Sequence, residues 1–330
     1  MARFFLTGAK GLIGSHLTRR LICAGHSVHG VDSETFFYGS PPPNLRGLLA
    51  YRSGQLLRGA HIRSISTLDS TRLRDEIARV RPDVIVHLAA LPLVRLAAAD
   101  PAAARASIVE GARNVAEAAA RLSPAVRVVH VSSSMVYGDF ERDPIREDDP
   151  TRPCSLYGVL KLEAEDVVRS LLEAAGASWT IARPCAVYGP GDTHRRVVDA
   201  FCAAGLARGS VEFRPSRDLR IDFTHVDDVS AGIELAAISP AAVREVFNVS
   251  FGQARTLKDL AAAVSEATGH PLGGRDADAD RDCPRRGALS IAKAQRLLGY
   301  APEWPLERGI AAMLDVQRRL APLPLELHRV

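Results

Sequence analysis

A tyrosine and a lysine stand four residues apart, at Tyr157 and Lys161. On a helix this spacing places both side chains on one face, one turn apart. Few such pairs are expected by chance, because the chain has only six tyrosines and only four of its 42 basic residues are lysines. A phenol is a poor base at neutral pH unless nearby positive charge stabilises its phenolate. The pair therefore predicts a proton-transferring tyrosine, and the alternative is an ordinary pair on a helix surface.

Three consecutive serines, Ser132 to Ser134, follow a predicted strand over Val126–Ser132. In an open α/β sheet, ligands bind at the carboxyl ends of the strands. One of these hydroxyl groups could hold a substrate oxygen and pass its proton to Tyr157. Taken alone, a serine cluster is more often a turn that makes local hydrogen bonds to the backbone.

Glycines at Gly8, Gly11 and Gly14 follow the first predicted strand, residues 3–7, and open the first helix. Such glycines allow a tight turn and let a pyrophosphate approach the positive end of the helix. Asp32 closes the second predicted strand, eighteen residues after Gly14. Its carboxylate could accept both ribose hydroxyls of an adenosine and would repel a 2′-phosphate, which favours NAD over NADP. The alternative places Asp32 in an ordinary surface loop.

Two further segments could border the same dinucleotide. Asp69 follows the third predicted strand and could reach the adenine amine, although a helix N-cap role for Asp69 or Ser70 is an equal alternative. His87 ends the fourth strand and is followed by Leu88, Ala89 and Ala90, whose small side chains suit a cofactor lying against the sheet edge.

The elements that must position these residues alternate between strand and helix. The predicted strands are Ser27–Val31, His61–Ile65, Asp83–His87, Val126–Ser132 and Trp179–Arg183, in addition to residues 3–7. The predicted helices are Ser70–Val80, an alanine-rich helix near 101–121 and one near 155–175. Because parallel neighbours need crossover connections, this alternation predicts an α/β fold with a Rossmann-type, doubly wound parallel sheet.

The regular alternation fades after Pro184. Helical patterns near 194–207, 226–237, 256–268 and 290–299 are separated by Gly- and Pro-containing loops, which indicates a smaller lobe. We expect a dinucleotide-binding domain over 1–184, which also receives part of 220–250, and a substrate-binding domain over 185–330. The connection at 36–47 is long for a mononucleotide-binding fold, and its role is open.

Composition excludes several classes of protein. With 47% hydrophobic residues, 24% charged residues and a net charge of +4, the chain is expected to be globular and not to bind nucleic acid. No apolar run reaches the length of a membrane helix, and no signal peptide is recognised at the N-terminus, so we expect a cytoplasmic protein. The five cysteines are scattered and predict neither disulfides nor a metal site.

These motifs together resemble the extended short-chain dehydrogenase/reductase superfamily, in particular its NAD-dependent nucleotide-sugar epimerases and dehydratases. The resemblance covers nearly the whole chain and includes Arg183-Pro184, Val187 to Asp192, Asp222 to Val229 and Leu298 to Pro302. It implies that Ser133, Tyr157 and Lys161 are catalytic. The cofactor-binding residues that it implies, together with those derived above, are Gly8, Gly11, Leu12, Ile13, Gly14, Asp32, Asp69, Leu88, Ala89, Ala90, Tyr157 and Lys161.

The resemblance also implies a reaction that begins with oxidation of a sugar hydroxyl to a transient ketone. Dehydratases of the family carry Asp-Glu directly after the catalytic threonine, whereas this chain has Ser134 and Met135. This difference favours an NAD-dependent 4-epimerase acting on a UDP-hexose or UDP-hexuronate. The alternatives are a dehydratase or net oxidoreductase of the same family, and a non-catalytic NAD-sensing scaffold.

The substrate pocket departs from the family pattern. Ala186 stands where many relatives have asparagine, and Arg220 lies one place before the usual arginine position. Arg281 is the nearest match to a late diphosphate-binding arginine, with Arg285 as the next choice. The predicted substrate-binding residues are Ser133, Ser134, Ala186, Arg220 and Arg281. The resemblance further implies a homodimer that pairs the helices near 101–121 and 155–175.

Overall fold

Parallel strands form the centre of the larger of two lobes. The computed structural model describes residues 1–35, 44–122, 126–194, 196–277 and 284–320. The strands in this part of the chain are β1 (Arg3–Thr7), β2 (Ser27–Asp32), β3 (His61–Ser64), β4 (Val84–His87), β5 (Arg127–Val131), β6 (Ser178–Pro184), β7 (Val187–Tyr188), β8 (Ser210–Phe213), β9 (Arg220–Ile221), β10 (Thr224–His225), β11 (Glu245–Val249), β12 (Arg255–Thr256) and β13 (Gly273–Asp276).

Helices connect and cover these strands. They are α1 (Leu12–Cys23), α2 (Leu45–Tyr51), α3 (Ser70–Val80), α4 (Val94–Ala99), α5 (Pro101–Arg105), α6 (Gly111–Ala120), α7 (Leu156–Ala174), α8 (Val197–Leu206), α9 (Val226–Ile238), α10 (Leu257–Thr268), α11 (Ala292–Leu298) and α12 (Leu306–Leu320). Short π-helical segments cover Arg52–Leu56 and Ala106–Glu110, and 3-10 turns cover Ser134–Tyr137 and Pro240–Ala242.

The main sheet has seven strands in the order β11-β6-β5-β4-β1-β2-β3, and every adjacent pair is parallel. The chain winds outward in both directions from the β1–β4 boundary. At such a boundary the connections after the two strands diverge and leave a crevice for a ligand. The predicted fold class, a doubly wound parallel sheet, is therefore confirmed.

Both faces of the sheet are covered by helices. Phe5 of β1 packs on the face that holds α3, α6 and α7, whereas Phe4 and Leu6 pack on the face that holds α1, α9 and α11. All three side chains are fully buried. A strand buried on two sides has to be apolar throughout, which explains why β1 reads as a continuous hydrophobic run and not as an alternating one.

The smaller lobe has its own apolar core. Phe201 of α8, Phe213 of β8, Leu260 of α10 and Met313 of α12 belong to this core. Its sheets contain two strands each: β8 with β13, β9 with β12, and β7 with β10. Between the segments that form the smaller lobe, the chain returns to the main sheet. There α9 packs against α1, and β11 pairs with β6.

The structure differs from the sequence expectations in particular elements. The helix expected near 101–121 is divided into α5, a π-helical segment and α6, and Gly111 at the junction lies so close to Thr67 that a Cβ atom would come within 2.8 Å of its hydroxyl oxygen. The short helices α2 and α4, the edge strand β11 and the long helix α12 were not predicted. Most of the 36–47 connection lies outside the described residues.

Candidate functional site

A cavity of about 860 Å³ opens at the carboxyl edge of the main sheet. Residues that follow β1, β2, β4, β5 and β6 line it, together with side chains of α7 and of the smaller lobe. The cavity therefore lies where doubly wound sheets bind their ligands. The predicted site residues that line it are Gly8, Gly11, Leu12, Ile13, Gly14, Asp32, Leu88, Ala89, Ala90, Ser133, Ser134, Tyr157, Lys161 and Ala186.

The glycine turn after β1 leaves no room for side chains. Gly8 has a φ of +69°, and a Cβ atom there would lie 2.8 Å from the backbone nitrogen of Ala89. A Cβ atom on Gly14 would lie 2.3 Å from the carbonyl oxygen of Gly8. Helix α1 begins after Gly11, which has no side chain to cap the first N–H groups. These N–H groups and the positive end of the helix are thus available to a phosphate.

The Asp32 carboxylate is held in a fixed orientation beside this turn. One oxygen accepts the backbone N–H of Lys10 at 2.9 Å, and the other accepts that of Glu34 at 2.8 Å. The side chains of Lys10 and Glu34 form an ion pair with each other. The carboxylate keeps free lone pairs toward the cavity and can accept hydroxyl groups there.

A hydrogen bond between Thr7 and His87 fixes the wall after β4. The Thr7 hydroxyl accepts the N–H groups of Leu88 and Ala89, each at 3.2 Å. Its own proton is therefore donated to Nδ1 of His87, 2.7 Å away. Burial, with a smaller effect of Lys161, lowers the pKa of His87 to about 3, so the imidazole is neutral. The backbone from Leu88 to Ala90 consequently forms a rigid, uncharged wall.

The residues predicted to transfer protons come together at the end of β5. The hydroxyl of Ser133 and the phenol of Tyr157 both line the cavity, and Ser133 lowers the pKa of the phenol. The Lys161 ammonium group lies 6.0 Å from the centre of the Tyr157 ring and donates to the carbonyl of Val131 at 3.0 Å. Ser155 caps helix α7 by accepting the N–H of Gly158 at 3.2 Å. The helix thus starts directly against the serine turn and aims Tyr157 into the cavity.

Burial dominates the ionisation of both groups. It raises the pKa of Tyr157, against the opposing effects of Arg196 and Ser133. It lowers the pKa of Lys161 to about 8, against the opposing charge of Glu165. The sequence predicted that fixed positive charge would favour the phenolate. In the cavity as it stands, burial outweighs that effect for Tyr157, so deprotonation of the phenol requires further positive charge beside it.

Three of the predicted residues are not placed in the cavity lining. The Asp69 carboxylate accepts the backbone N–H of Arg72 at 3.1 Å and caps α3, which is the alternative that the sequence left open. Arg220 extends from β9 to form an ion pair with Asp143. Arg281 lies outside the described residues. The next choice, Arg285, is exposed and pairs with Asp139.

The sequence did not single out Arg286, whose guanidinium group enters the cavity beside Ser134. Arg286 is the second of two adjacent arginines in a loop, and only the tertiary structure shows which of them points inward. Two smaller-lobe residues, Arg196 and Thr193, also line the cavity without having been predicted. Among the residues that the structure describes, no group of three or more metal-ligating side chains is found.

The described helices include none that is long and apolar enough to cross a lipid bilayer.

Comparison with known proteins agrees with this geometry. Residues 4–250 match the NAD dependent epimerase/dehydratase family. A UDP-glucose 4-epimerase of Mycolicibacterium smegmatis is 32% identical over 96% of this chain and 98% of its own length. A probable UDP-glucuronate 4-epimerase of Rhizobium meliloti is 27% identical over 95% of this chain and 96% of its own length.

A solved structure shows the same fold with ligands. The UDP-glucuronic acid 4-epimerase of Bacillus cereus, in complex with UDP-glucuronic acid and NAD, superposes with a TM-score of 0.86. It is 25% identical, and the match covers 96% of this chain and 99% of that one. The similarity extends over both lobes.

Proposed function

The chain belongs to the NAD-dependent epimerase/dehydratase family, and on that premise we propose that it is an NAD-dependent nucleotide-sugar 4-epimerase acting on a UDP-hexose or UDP-hexuronate. The observation that carries this proposal is that Ser133, Tyr157 and Lys161 line the same cavity as the glycine turn. The residues proposed to transfer protons and the turn proposed to bind phosphate therefore line one cavity.

The residues of the cavity fit NAD. The crowded positions Gly8 and Gly14 leave the backbone open to a pyrophosphate, and the Asp32 carboxylate is held where it can accept ribose hydroxyls. The carboxylate would repel a 2′-phosphate, which favours NAD over NADP. When bound, NAD supplies the acceptor and later the donor of a hydride at the reacting carbon.

Each protein group then has a defined task at the C4 hydroxyl of the sugar. Ser133 holds the hydroxyl oxygen and passes its proton to the phenolate of Tyr157. Loss of that proton and of the C4 hydride converts C4 to a ketone. Return of the hydride to the opposite face of C4, and of the proton through Ser133, gives the epimer. The Lys161 ammonium group stabilises the phenolate before the first proton transfer and after the second.

The residues after Ser133 favour epimerisation over dehydration. Elimination of water across C5 and C6 needs an acid and a base beside those carbons. Ser134 and Met135 stand there, a neutral hydroxyl and a thioether. The neighbouring thiol of Cys185 is no better as a base, because burial raises its pKa.

Incubation of the purified enzyme with UDP-glucose and with UDP-glucuronate tests the proposal. An epimerase gives the C4-inverted sugar by NMR, with unchanged mass and no net absorbance of NADH. A dehydratase would lose the mass of one water molecule, and a net oxidoreductase would accumulate NADH. A non-catalytic scaffold would give none of these changes, and its biological effect would survive Tyr157→Phe.

We further propose a homodimer in which α7 and the helix formed by α5 and α6 pack against their mates. Leu156 and Val159 of α7 are 37% and 45% exposed, and Val94 of the adjoining α4 is 40% exposed. Apolar side chains exposed on neighbouring helices are typical of a subunit interface. Light scattering of Val159→Asp should then report a monomer. Leu206→Asp, a matched change on α8 at a side chain that is 39% exposed, should leave the dimer intact.

Two coarser assignments complete the proposal. We assign NAD binding to residues 1–184 with part of 220–250, and substrate binding mainly to 185–330, because the glycine turn lies in the first part whereas Ala186, Arg196 and Arg286 line the cavity from the second. We also propose a cytoplasmic location. Free thiols at the exposed residues Cys23 and Cys154 suit a reducing compartment. Cell fractionation tests this assignment.

A further inference from the structure

Arg286 places a guanidinium group beside Ser134, the residue after Ser133. Its Nη2 atom lies 3.0 Å from the hydroxyl oxygen of Ser134 and 3.3 Å from the sulfur of Cys185. The guanidinium carbon lies 5.5 Å from the centre of the Phe140 ring. The side chain is half-buried, and its Nε atom is buried with no hydrogen-bond partner in the described part of the chain. The group is therefore held in place by uncharged side chains, those of Ser134, Met135 and Cys185.

The charges around the cavity are distributed unequally. Two carboxylates line it: Asp32 ends β2, and Glu34 lies two residues further along the chain. Three strand spacings separate β2 from β5 in the sheet order, which is about 14 Å at about 4.8 Å per spacing. The substrate end of the cavity, defined here as Ser133, Ser134, Tyr157 and Arg286, has no lining carboxylate among the described residues.

Two other cationic side chains near this end have partners within the protein. Arg196 pairs with Asp192 at 3.2 Å, and Lys161 donates to the backbone of β5. Arg286 has no carboxylate within 4.0 Å among the residues that the structure describes. Because a half-buried guanidinium without a counter-charge is costly, an anionic group of the ligand is expected to complete its coordination.

The position of Arg286 selects between the two anionic groups that a nucleotide sugar can offer. This step rests on the proposed function, in which Ser133 holds the C4 hydroxyl. C6 is attached to C5, the carbon next to C4, whereas the diphosphate leaves from C1 on the far side of the ring. A guanidinium bonded to Ser134, the residue after Ser133, is therefore nearer to C6 than to the diphosphate.

We propose that Arg286 binds the C6 carboxylate of the sugar, and that the enzyme consequently prefers a UDP-hexuronate to a UDP-hexose. A planar guanidinium can donate two parallel hydrogen bonds to a carboxylate. A neutral C6 hydroxyl would leave the positive charge of Arg286 without a counter-charge. The neighbouring side chains of Ala186 and Met135 are uncharged and cannot supply one. Selectivity then arises from the unpaired charge that the wrong substrate leaves behind.

The test compares kcat/KM for UDP-glucuronate and UDP-glucose in three enzymes. The wild type should favour UDP-glucuronate. Arg286→Gln should lower kcat/KM for UDP-glucuronate by about ten- to a hundredfold, the worth of a charge-assisted pair, and change that for UDP-glucose by less than about threefold. The kcat/KM of Arg286→Lys for UDP-glucuronate should lie between the values of the wild type and Arg286→Gln, because lysine keeps the charge but lacks the planar pair of donors. Arg152→Gln, at an exposed arginine paired with Glu141, is the matched control and should leave both values unchanged.

Equilibrium binding gives a readout that does not depend on turnover. In a Tyr157→Phe background, calorimetry should show that Arg286→Gln weakens UDP-glucuronate binding selectively, and thermal unfolding of each variant should show that it is folded. If Arg286→Gln left the ratio of the affinities, or of the kcat/KM values, for the two sugars unchanged, the role of Arg286 would be overturned. Turnover of neither sugar by the wild type would instead refute the proposed function, and with it this inference.

Discussion

The Lys161 ammonium group donates a hydrogen bond to the carbonyl oxygen of Val131 at 3.0 Å. Val131 ends β5, and Ser133 lies two residues further along the chain. The bond therefore fixes α7, which carries Tyr157, against the strand that precedes Ser133. Glu165, one turn further along α7, pairs with Arg183 of β6 at 2.6 Å and anchors the same helix to the next strand.

Lys161→Met should make the cofactor-free protein more stable while abolishing activity. Burial lowers the pKa of this lysine from 10.5 to about 8. The charged form of Lys161 destabilises the folded protein by about 3 kcal/mol, and methionine removes this cost. The variant also loses the hydrogen bond to Val131, which is worth about 1 kcal/mol. The free energy of unfolding should therefore rise by about 2 kcal/mol at pH 7. Urea unfolding followed by circular dichroism measures this gain.

The stability gain of Lys161→Met should also depend on pH. Between pH 8 and 10.5 the unfolded chain holds the lysine proton more tightly than the folded chain, so wild-type stability rises with pH in that window. The gain should be complete below pH 8 and fade toward pH 10.5. A constant gain across this range would contradict a buried, charged lysine.

Tyr157→Phe should lower kcat by about a hundred- to ten-thousandfold, because general acid–base catalysis contributes about two to four orders of magnitude. NAD content of the purified protein, measured by absorbance after denaturation, should stay within about twofold of the wild type. Substantial residual epimerisation would show that another group accepts the proton.

Gly14→Ala should abolish NAD binding. The added Cβ atom would lie 2.3 Å from the carbonyl oxygen of Gly8, so the phosphate-binding turn must open. Gly273→Ala is the matched control, since a Cβ atom at that position meets nothing within 4 Å. Fluorescence titration with NAD distinguishes the two variants. Unaltered NAD affinity in Gly14→Ala would place the pyrophosphate elsewhere.

Asp32→Asn should weaken NAD binding by about tenfold or more and reduce the preference for NAD over NADP. The carboxylate makes charge-assisted hydrogen bonds that an amide replaces only in part, and its negative charge is the group expected to repel a 2′-phosphate. Dissociation constants for both cofactors, measured under the same salt conditions, give the ratio. An unchanged ratio would remove Asp32 from cofactor selection.

The sequence predicted those parts of the fold that depend on neighbouring residues. The glycine turn, the Tyr157–Lys161 pair and helix α3 each depend on a short stretch of chain. Helix α12 was missed although its buried residues Leu306, Ile310, Met313 and Leu314 have helical spacing. The strand β11 was missed because its role depends on pairing with β6, which lies more than sixty residues earlier.

The candidate site shows the same division. Ser133 and Tyr157 could be predicted as catalytic residues because family motifs mark them, and the structure places both in the cavity. The inward orientation of Arg286 could not, because it depends on contacts with Ser134 and Cys185, both about a hundred residues or more away in the chain. The capping of α3 by Asp69 was predictable only as one of two alternatives, since a carboxylate before a helix suits both.

In the proposed reaction the hydride leaves C4, stays in the cavity and returns to the same carbon. Epimerisation of a UDP-sugar labelled with deuterium at C4 follows this hydride, with the product analysed by NMR and mass spectrometry. The inverted product should retain the deuterium at C4 in ordinary water. Loss of the label to solvent, or inversion with solvent hydrogen at C4, would contradict it.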